Sequence, residues 1–293
     1  MAGLTLIFAL FAAPAALATF PGKNGQILFT RLLFRDPSAE DDNTERFSLG
    51  VVRPDGKNQH RLQTCRVVAR CTDSNGSYSP SGKRILFHRR NRLVITRADG
   101  SHPIGIPVPD GLQPDDPAWS PDGRRVAFTG GLGAGLTSVF VVGVRGQGLR
   151  RLTDGEFDSQ PAWSVEDEIV FLRENGDLPG SDLFVVGSDG ARQRRLARVG
   201  RSPAWSPDGR RVAFASRLQI HSIRADGTGR KALGRGLDPT WSPDGRMIAF
   251  KRFRGLRVMS RHGGAQRVIA TTKSIPHVRA DEELFAPDWR PRP

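Results

Sequence analysis

The sequence predicts an all-β fold, a six-bladed β-propeller of four-stranded antiparallel blades whose ring is closed by the C-terminal strand pairing with the N-terminal blade. Three observations predict it. One phrase, written in full as Pro117-Ala-Trp-Ser-Pro-Asp-Gly-Arg-Arg-Val-Ala-Phe128, recurs along the chain. All five Trp and the only Tyr occupy one position of that phrase. The 33 Gly and 21 Pro among 293 residues, about one in five, punctuate the chain too densely for long helices.

In chain order, residues 1–18, MAGLTLIFALFAAPAALA, carry no charged side chain and end in the small-x-small pattern Ala16-Leu17-Ala18. They read as an export signal, with the mature chain starting near Thr19 and forming a single propeller over 19–293. The run is shorter than the ~20 residues a spanning helix needs and contains Pro14, which disfavours an uncleaved anchor. After it, Asn24-Gly25 and Ile27-Leu28-Phe29 supply a second (B) strand and Leu49-Gly-Val-Val52 a third (C), with strands lettered A to D from the ring centre outward. No A strand precedes them.

The repeated phrase then runs through the chain. Tyr78-Ser-Pro-Ser-Gly opens its first copy, Trp119 and Trp205 lie in two near-identical copies, Trp163 in a degenerate one (Ser164-Val-Glu-Asp167) and Trp241 in a third close copy. Trp289 lies in a final fragment, Pro287-Asp-Trp-Arg-Pro291. The steps from 78 to 119, 163, 205, 241 and 289 are 41, 44, 42, 36 and 48 residues, the period of a four-stranded blade. Within the phrase, Ser-Pro-Asp-Gly is a turn, because Pro presets φ, Asp bonds its own backbone and Gly takes positive φ. The Val-Ala-Phe or Ile-Ala-Phe that follows is a short apolar B strand. Segments such as Ser138-Val-Phe-Val-Val142 supply C strands, turns such as Arg224-Ala-Asp-Gly227 close them, and Arg150-Arg-Leu-Thr153 reads as a D strand. The orphan phrase at Trp289 supplies the A strand missing at the start, which closes six blades and removes two exposed sheet edges.

Trp-Ser-Pro-Asp-Gly followed by an apolar strand resembles the signature of TolB-type propellers, a family similar to but distinct from WD repeats. The likeness covers residues 20–293. It implies a six-bladed fold and export, and is not specific for function. Periplasmic TolB carries an additional N-terminal α/β domain, for which the sequence is expected to leave no room between Ala18 and Gln26.

Related propellers accompany serine peptidases, but no Gly-x-Ser-x-Gly elbow occurs and only 52 residues follow Trp241, too few for a hydrolase domain. Some sugar lyases resemble TolB-type propellers and hold a metal with clustered His. Here His60, His88, His102, His221, His262 and His277 share no fixed place in the blade, so the sequence predicts no metal, no cofactor and no enzyme. Gly130-Gly-Leu-Gly-Ala-Gly135 precedes no helix and reads as a hairpin loop. Cys65 and Cys71 fit a disulfide stapling a short loop in an oxidising compartment.

Binding is expected on the face formed by the variable B–C and D–A connections. Three residues before each Trp/Tyr stand Asn75, Asp116, Gln160, Ser202, Asp238 and Ala286, a mostly polar ring at the channel mouth, with Asp115, Asp158 and Arg201 beside it. These read either as caps and channel hydration or as a ligand site. Among the B–C loops, residues 35–46 are acidic, while Arg89, Arg90 and Arg92, and Lys251, Arg252, Phe253 and Arg254, are basic; Phe253 is a candidate anchor. Solvated loops give the same alternation.

The net charge of +14 rests on 44 Lys+Arg against 30 Asp+Glu. Its Arg recurs at structural positions such as Arg124-Arg125, Arg210-Arg211 and Arg194-Arg195, spread around the ring with no stripe to track a duplex, so no specific nucleic acid is expected. The expected function is a monomeric, exported, non-catalytic binding module, periplasmic, envelope-associated or secreted, whose partner is an envelope protein or acidic polymer. The alternative is a carbohydrate-active or acidic-glycan (polyanion) binding propeller.

Overall fold

The computed structural model describes residues 17–33, 46–65, 72–131, 133, 135–174, 180–253, 255–271 and 282–292. Every regular element among them is a strand. They form six antiparallel blades. Blade 1 is built from both ends of the chain: its A strand is Glu282–Arg292, followed outward by Lys23–Leu33, Arg46–Val52 and His60–Arg61. Trp289 pairs with Ile27 and Asp288 with Leu28, the closure expected from the repeat.

The remaining A strands are Asp73–Tyr78, Gln113–Trp119, Asp158–Trp163, Arg201–Trp205 and Leu237–Trp241, for blades 2 to 6. Each is paired with a B strand that begins just after the turn of the repeated phrase, a Pro-Asp-Gly turn before Arg125–Gly131, Arg211–Ser216 and Met247–Arg252. In these turns the Ser hydroxyl donates to the Asp carboxylate at 2.5 Å (Ser120–Asp122) and 2.6 Å (Ser206–Asp208, Ser242–Asp244), and the Gly stands at φ +65 to +68°. In the degenerate copy Asp167 takes the left-handed place of Gly, at φ +61°, and its carboxylate accepts the Trp163 indole N–H at 2.8 Å.

The core lies between blades. Trp119, Trp163, Trp205 and Trp289 are buried with Phe29, Phe87, Phe128, Phe171, Phe214 and Phe250 from the B strands. Trp119, Trp205 and Trp241 each donate the indole N–H to a carbonyl of the preceding A strand, Ser77, Ala162 and Ala204 at 3.1 to 3.3 Å. Part of the Arg excess is used here. Arg84 lies over Trp119 at 5.2 Å, Arg125 over Trp163 at 4.8 Å and Arg290 over Tyr78 at 5.8 Å, each joining one blade to the next by a cation–π contact.

The N-terminal end adds a strand that the repeat does not supply. Leu17–Ala18, read from sequence as the end of an export signal, forms a fifth strand on the inner edge of blade 5, parallel to its A strand and paired with Ala204 and Trp205. Thr19 and Phe20 are buried behind it.

Candidate functional site

The polar ring is built by one irregularity repeated six times. In every blade the A–B ladder slips by one residue just before the Trp/Tyr, as between Ser74 and Ser77 or Arg201 and Ala204. This β-bulge leaves the first unpaired residue left-handed: Asn75, Asp116, Gln160, Ser202, Asp238 and Ala286 stand at φ +46 to +54°. The second is Pro in five of the six blades, where a missing N–H takes nothing from the ladder.

All six are buried, and their polar groups run from blade to blade. Asn75 Nδ2 donates to Asp116 Oδ1 at 3.0 Å and to Asp115 Oδ1 at 3.3 Å. Thr129 Oγ1 donates to Asp116 Oδ2 at 3.3 Å and accepts the Gln160 N–H at 3.1 Å. Gln160 Oε1 accepts the Ser202 N–H at 2.9 Å, and Ser202 Oγ donates to Asp238 Oδ1 at 3.0 Å. Burial, and then the neighbouring Asp115 charge, push the Asp116 carboxyl well above the usual carboxylate range; burial also raises that of Asp238. The ring therefore joins blades through its own polar groups, while Asn75 Oδ1 is buried without a hydrogen-bond partner among the described residues. Asp115 remains 42% exposed, accepts the Asp116 N–H at 2.8 Å and lies 3.7 Å from His88 Nδ1.

The other residues singled out from sequence divide sharply. Asp158 is fully buried and holds Arg173 through two bonds of 2.7 and 2.8 Å. Arg201 is exposed beside Asp238. Arg89, expected on a free basic rim, grips the buried Asp73 at 2.6 and 2.8 Å and lies over Phe87. Lys251 pairs with Glu283 at 2.6 Å, and Arg252 donates to Gln266 at 2.6 Å. Arg90 and Arg92 are exposed at a turn tip. Arg254, Cys71 and residues 35–45 lie outside the described residues; Cys65 is half-buried.

Phe253 is 78% exposed, with Arg252 over its ring at 5.2 Å. It is not isolated. Leu218 (67% exposed) is the B–C turn of blade 5, Val199 (40%) lies on the connection from blade 4 to blade 5, and Phe157 (37%) on that from blade 3 to blade 4. Four apolar side chains therefore emerge from consecutive blades on the B–C and D–A face. Three of them, Val199, Leu218 and Phe253, have left-handed backbones at φ +52, +63 and +53°. For a β-branched Val such a conformation is an outlier, costing on the order of 1–3 kcal/mol. Of the four, only Phe253 stands out in the sequence, among basic residues. The apolar residue inside an otherwise polar two-residue turn, as in Arg217-Leu218, was the available signal.

On the opposite face, clefts of about 450 and 880 Å³ lie between blades 1 and 2, lined by Arg53, Lys83, Arg97 and Arg292 with Asp99 among them. Among the described residues, no group of three or more His, Cys, Asp or Glu is placed to hold a metal ion, and no helix is long and apolar enough to cross a membrane.

Comparison with known proteins agrees with this architecture. A Chlorobium luteolum protein, "Protein TolB homolog", is 30% identical over 104 residues, which span 34% of this chain and 23% of that protein. The crystal structure of TolB from Acinetobacter baumannii superposes with a TM-score of 0.72 at 18% identity, covering 93% of this chain and 68% of that one. An oligogalacturonate lyase in complex with manganese superposes with a TM-score of 0.59 at 11% identity, covering 87% of this chain and 89% of that one. The TolB beta propeller domain family matches residues 21–274, and the chain belongs to it.

Proposed function

We propose that this protein is an exported, non-catalytic binding module of the cell envelope that recognises a protein partner through the B–C and D–A face. The observation that carries this reading is the apolar arc of Phe157, Val199, Leu218 and Phe253 on that face, held outward in part by costly backbone conformations. Strain retained at an exposed apolar tip is the pattern of a contact surface, and a large aromatic beside Arg is the usual composition of a binding hot spot. Asp115 and Arg201 supply polar contacts at the channel mouth beside it. The similarity to TolB supports an envelope setting. In that oxidising compartment Cys65 pairs with Cys71, which alkylation of the intact and the reduced chain would detect.

The test is retention of envelope proteins on the immobilised chain at high salt, where charge attraction is screened. The unmodified protein retains a defined partner, and the triple variant Val199→Ser/Leu218→Ser/Phe253→Ser loses it. Equal retention by both would sink the reading.

One observation favours a second reading, an acidic glycan as ligand. The clefts between blades 1 and 2 gather exposed Arg53, Lys83, Arg97 and Arg292. Oligogalacturonate is the appropriate probe, given the lyase neighbour, and Lys83→Ala/Arg97→Ala should abolish its binding without touching protein capture.

A further inference from the structure

The innermost strand of a propeller blade has a partner on its outer side only; its inner edge presents unpaired backbone N–H and C=O groups to the channel, and such an edge is a template for another strand. On blade 5 that edge is occupied. Leu17 pairs with Ala204 and Ala18 with Trp205, parallel to the A strand. The chain then crosses to blade 6, where the Thr19 hydroxyl donates to the Trp241 carbonyl at 2.9 Å and lies 3.2 Å from Thr240 Oγ1. Phe20 is buried in the cluster that contains Trp119, Phe128 and Trp163 of blades 3 and 4. Gly22 donates to the Pro243 carbonyl at 3.2 Å as the segment leaves the channel at the Pro-Asp-Gly end.

We propose that the inner edge of blade 5 is a strand-addition seat for an extended, uncharged peptide, lying parallel to Arg201–Trp205, and that Leu17–Ala18 is the occupant that defines it. The chemistry of the occupant follows from the surroundings. Leu17, Ala18, Thr19 and Phe20 carry no charge. Thr19 and Phe20, which follow the seat directly, are buried, so the channel beside it is closed to water, and a charged side chain entering there would lose its hydration without gaining a partner. Backbone pairing supplies the binding in this mode, and side-chain size and polarity supply the selection. The inference is independent of the envelope partner, because no partner enters its test.

The decisive material is the chain starting at Thr19, which keeps all six blades and leaves the seat empty. The probe is a synthetic peptide of residues 12–18, AAPAALA. Hydrogen exchange of the Trp205 amide, the one of this stretch that faces the inner edge, is expected to slow about tenfold when the peptide saturates the shortened chain. It should stay unchanged when the peptide meets the full chain, whose seat is filled. A peptide N-methylated at Leu17 and Ala18 should give no protection. Absence of protection in the shortened chain, or equal protection in the full chain, overturns the proposal. If the shortened chain does not fold, as Trp fluorescence would report, the full chain carrying Leu17→Pro/Ala18→Pro replaces it. Exchange at the Trp205 amide should then quicken about tenfold while the other blades keep their protection; unchanged exchange overturns the proposal.

Discussion

The Ser202 hydroxyl on blade 5 donates to Asp238 Oδ1 on blade 6 at 3.0 Å, and both residues stand at the left-handed bulge of their A strands. Asp238 in turn accepts the backbone N–H of Ala286 on blade 1. A single side chain thus ties three blades together across the point where the ring closes. Ser202→Ala leaves a buried carboxyl short of one donor and should lower stability by about 1–3 kcal/mol. A double-mutant cycle with Asp238→Ala, read from thermal unfolding, should give a coupling of about 0.5–3 kcal/mol; additive losses would show that the bond does not join the blades.

Asp288 replaces the small residue found at its place in other blades. It is fully buried, accepts the Tyr78 N–H at 2.7 Å through Oδ2, and its Oδ1 has no partner among the described residues. Burial raises its carboxyl well above the usual range. The unfolded chain ionises near pH 3.9, so the penalty is absent below that value and grows as pH rises toward the folded pKa. Asp288→Asn should therefore gain on the unmodified protein from about pH 4 upward, by about 1–2 kcal/mol at neutrality. A gap in melting temperature that does not change with pH would contradict this.

The Arg173–Asp158 pair closes the start of the blade 4 A strand, with the carboxylate fully buried. Arg173→Met strands that charge and should cost about 3–5 kcal/mol in urea unfolding, while an exposed Arg such as Arg192 changed to Met should cost little. Similar losses for both would mean that the pairing contributes nothing.

Val199 combines a left-handed backbone with a β-branched side chain in an exposed position. Asn tolerates that conformation, so Val199→Asn should raise stability by about 1 kcal/mol and at the same time weaken retention of the envelope partner. A variant that is more stable and binds as before would separate the strain from recognition.

The blades are legible in the repeat. Each Pro-Asp-Gly turn depends on contacts within five residues, such as Ser120 with Asp122 and Arg125, so its chemistry is legible locally. The Trp/Tyr position counted the blades and identified the Trp289 strand as the partner of Ile27. The ring residues were also found by their spacing, but not their use, because Asn75 meets Asp116 across 41 positions and Ser202 meets Asp238 across 36. Only the packed ring brings such groups together, and only burial turns a polar residue from a ligand candidate into a joint. The same holds for Arg89, whose exposed rim position in the sequence becomes a clamp on Asp73 once both strands are paired. The apolar arc required knowing which turns share a face. The occupation of the channel by Leu17–Ala18 required more still, since the backbone edge it pairs with exists only after six blades have closed.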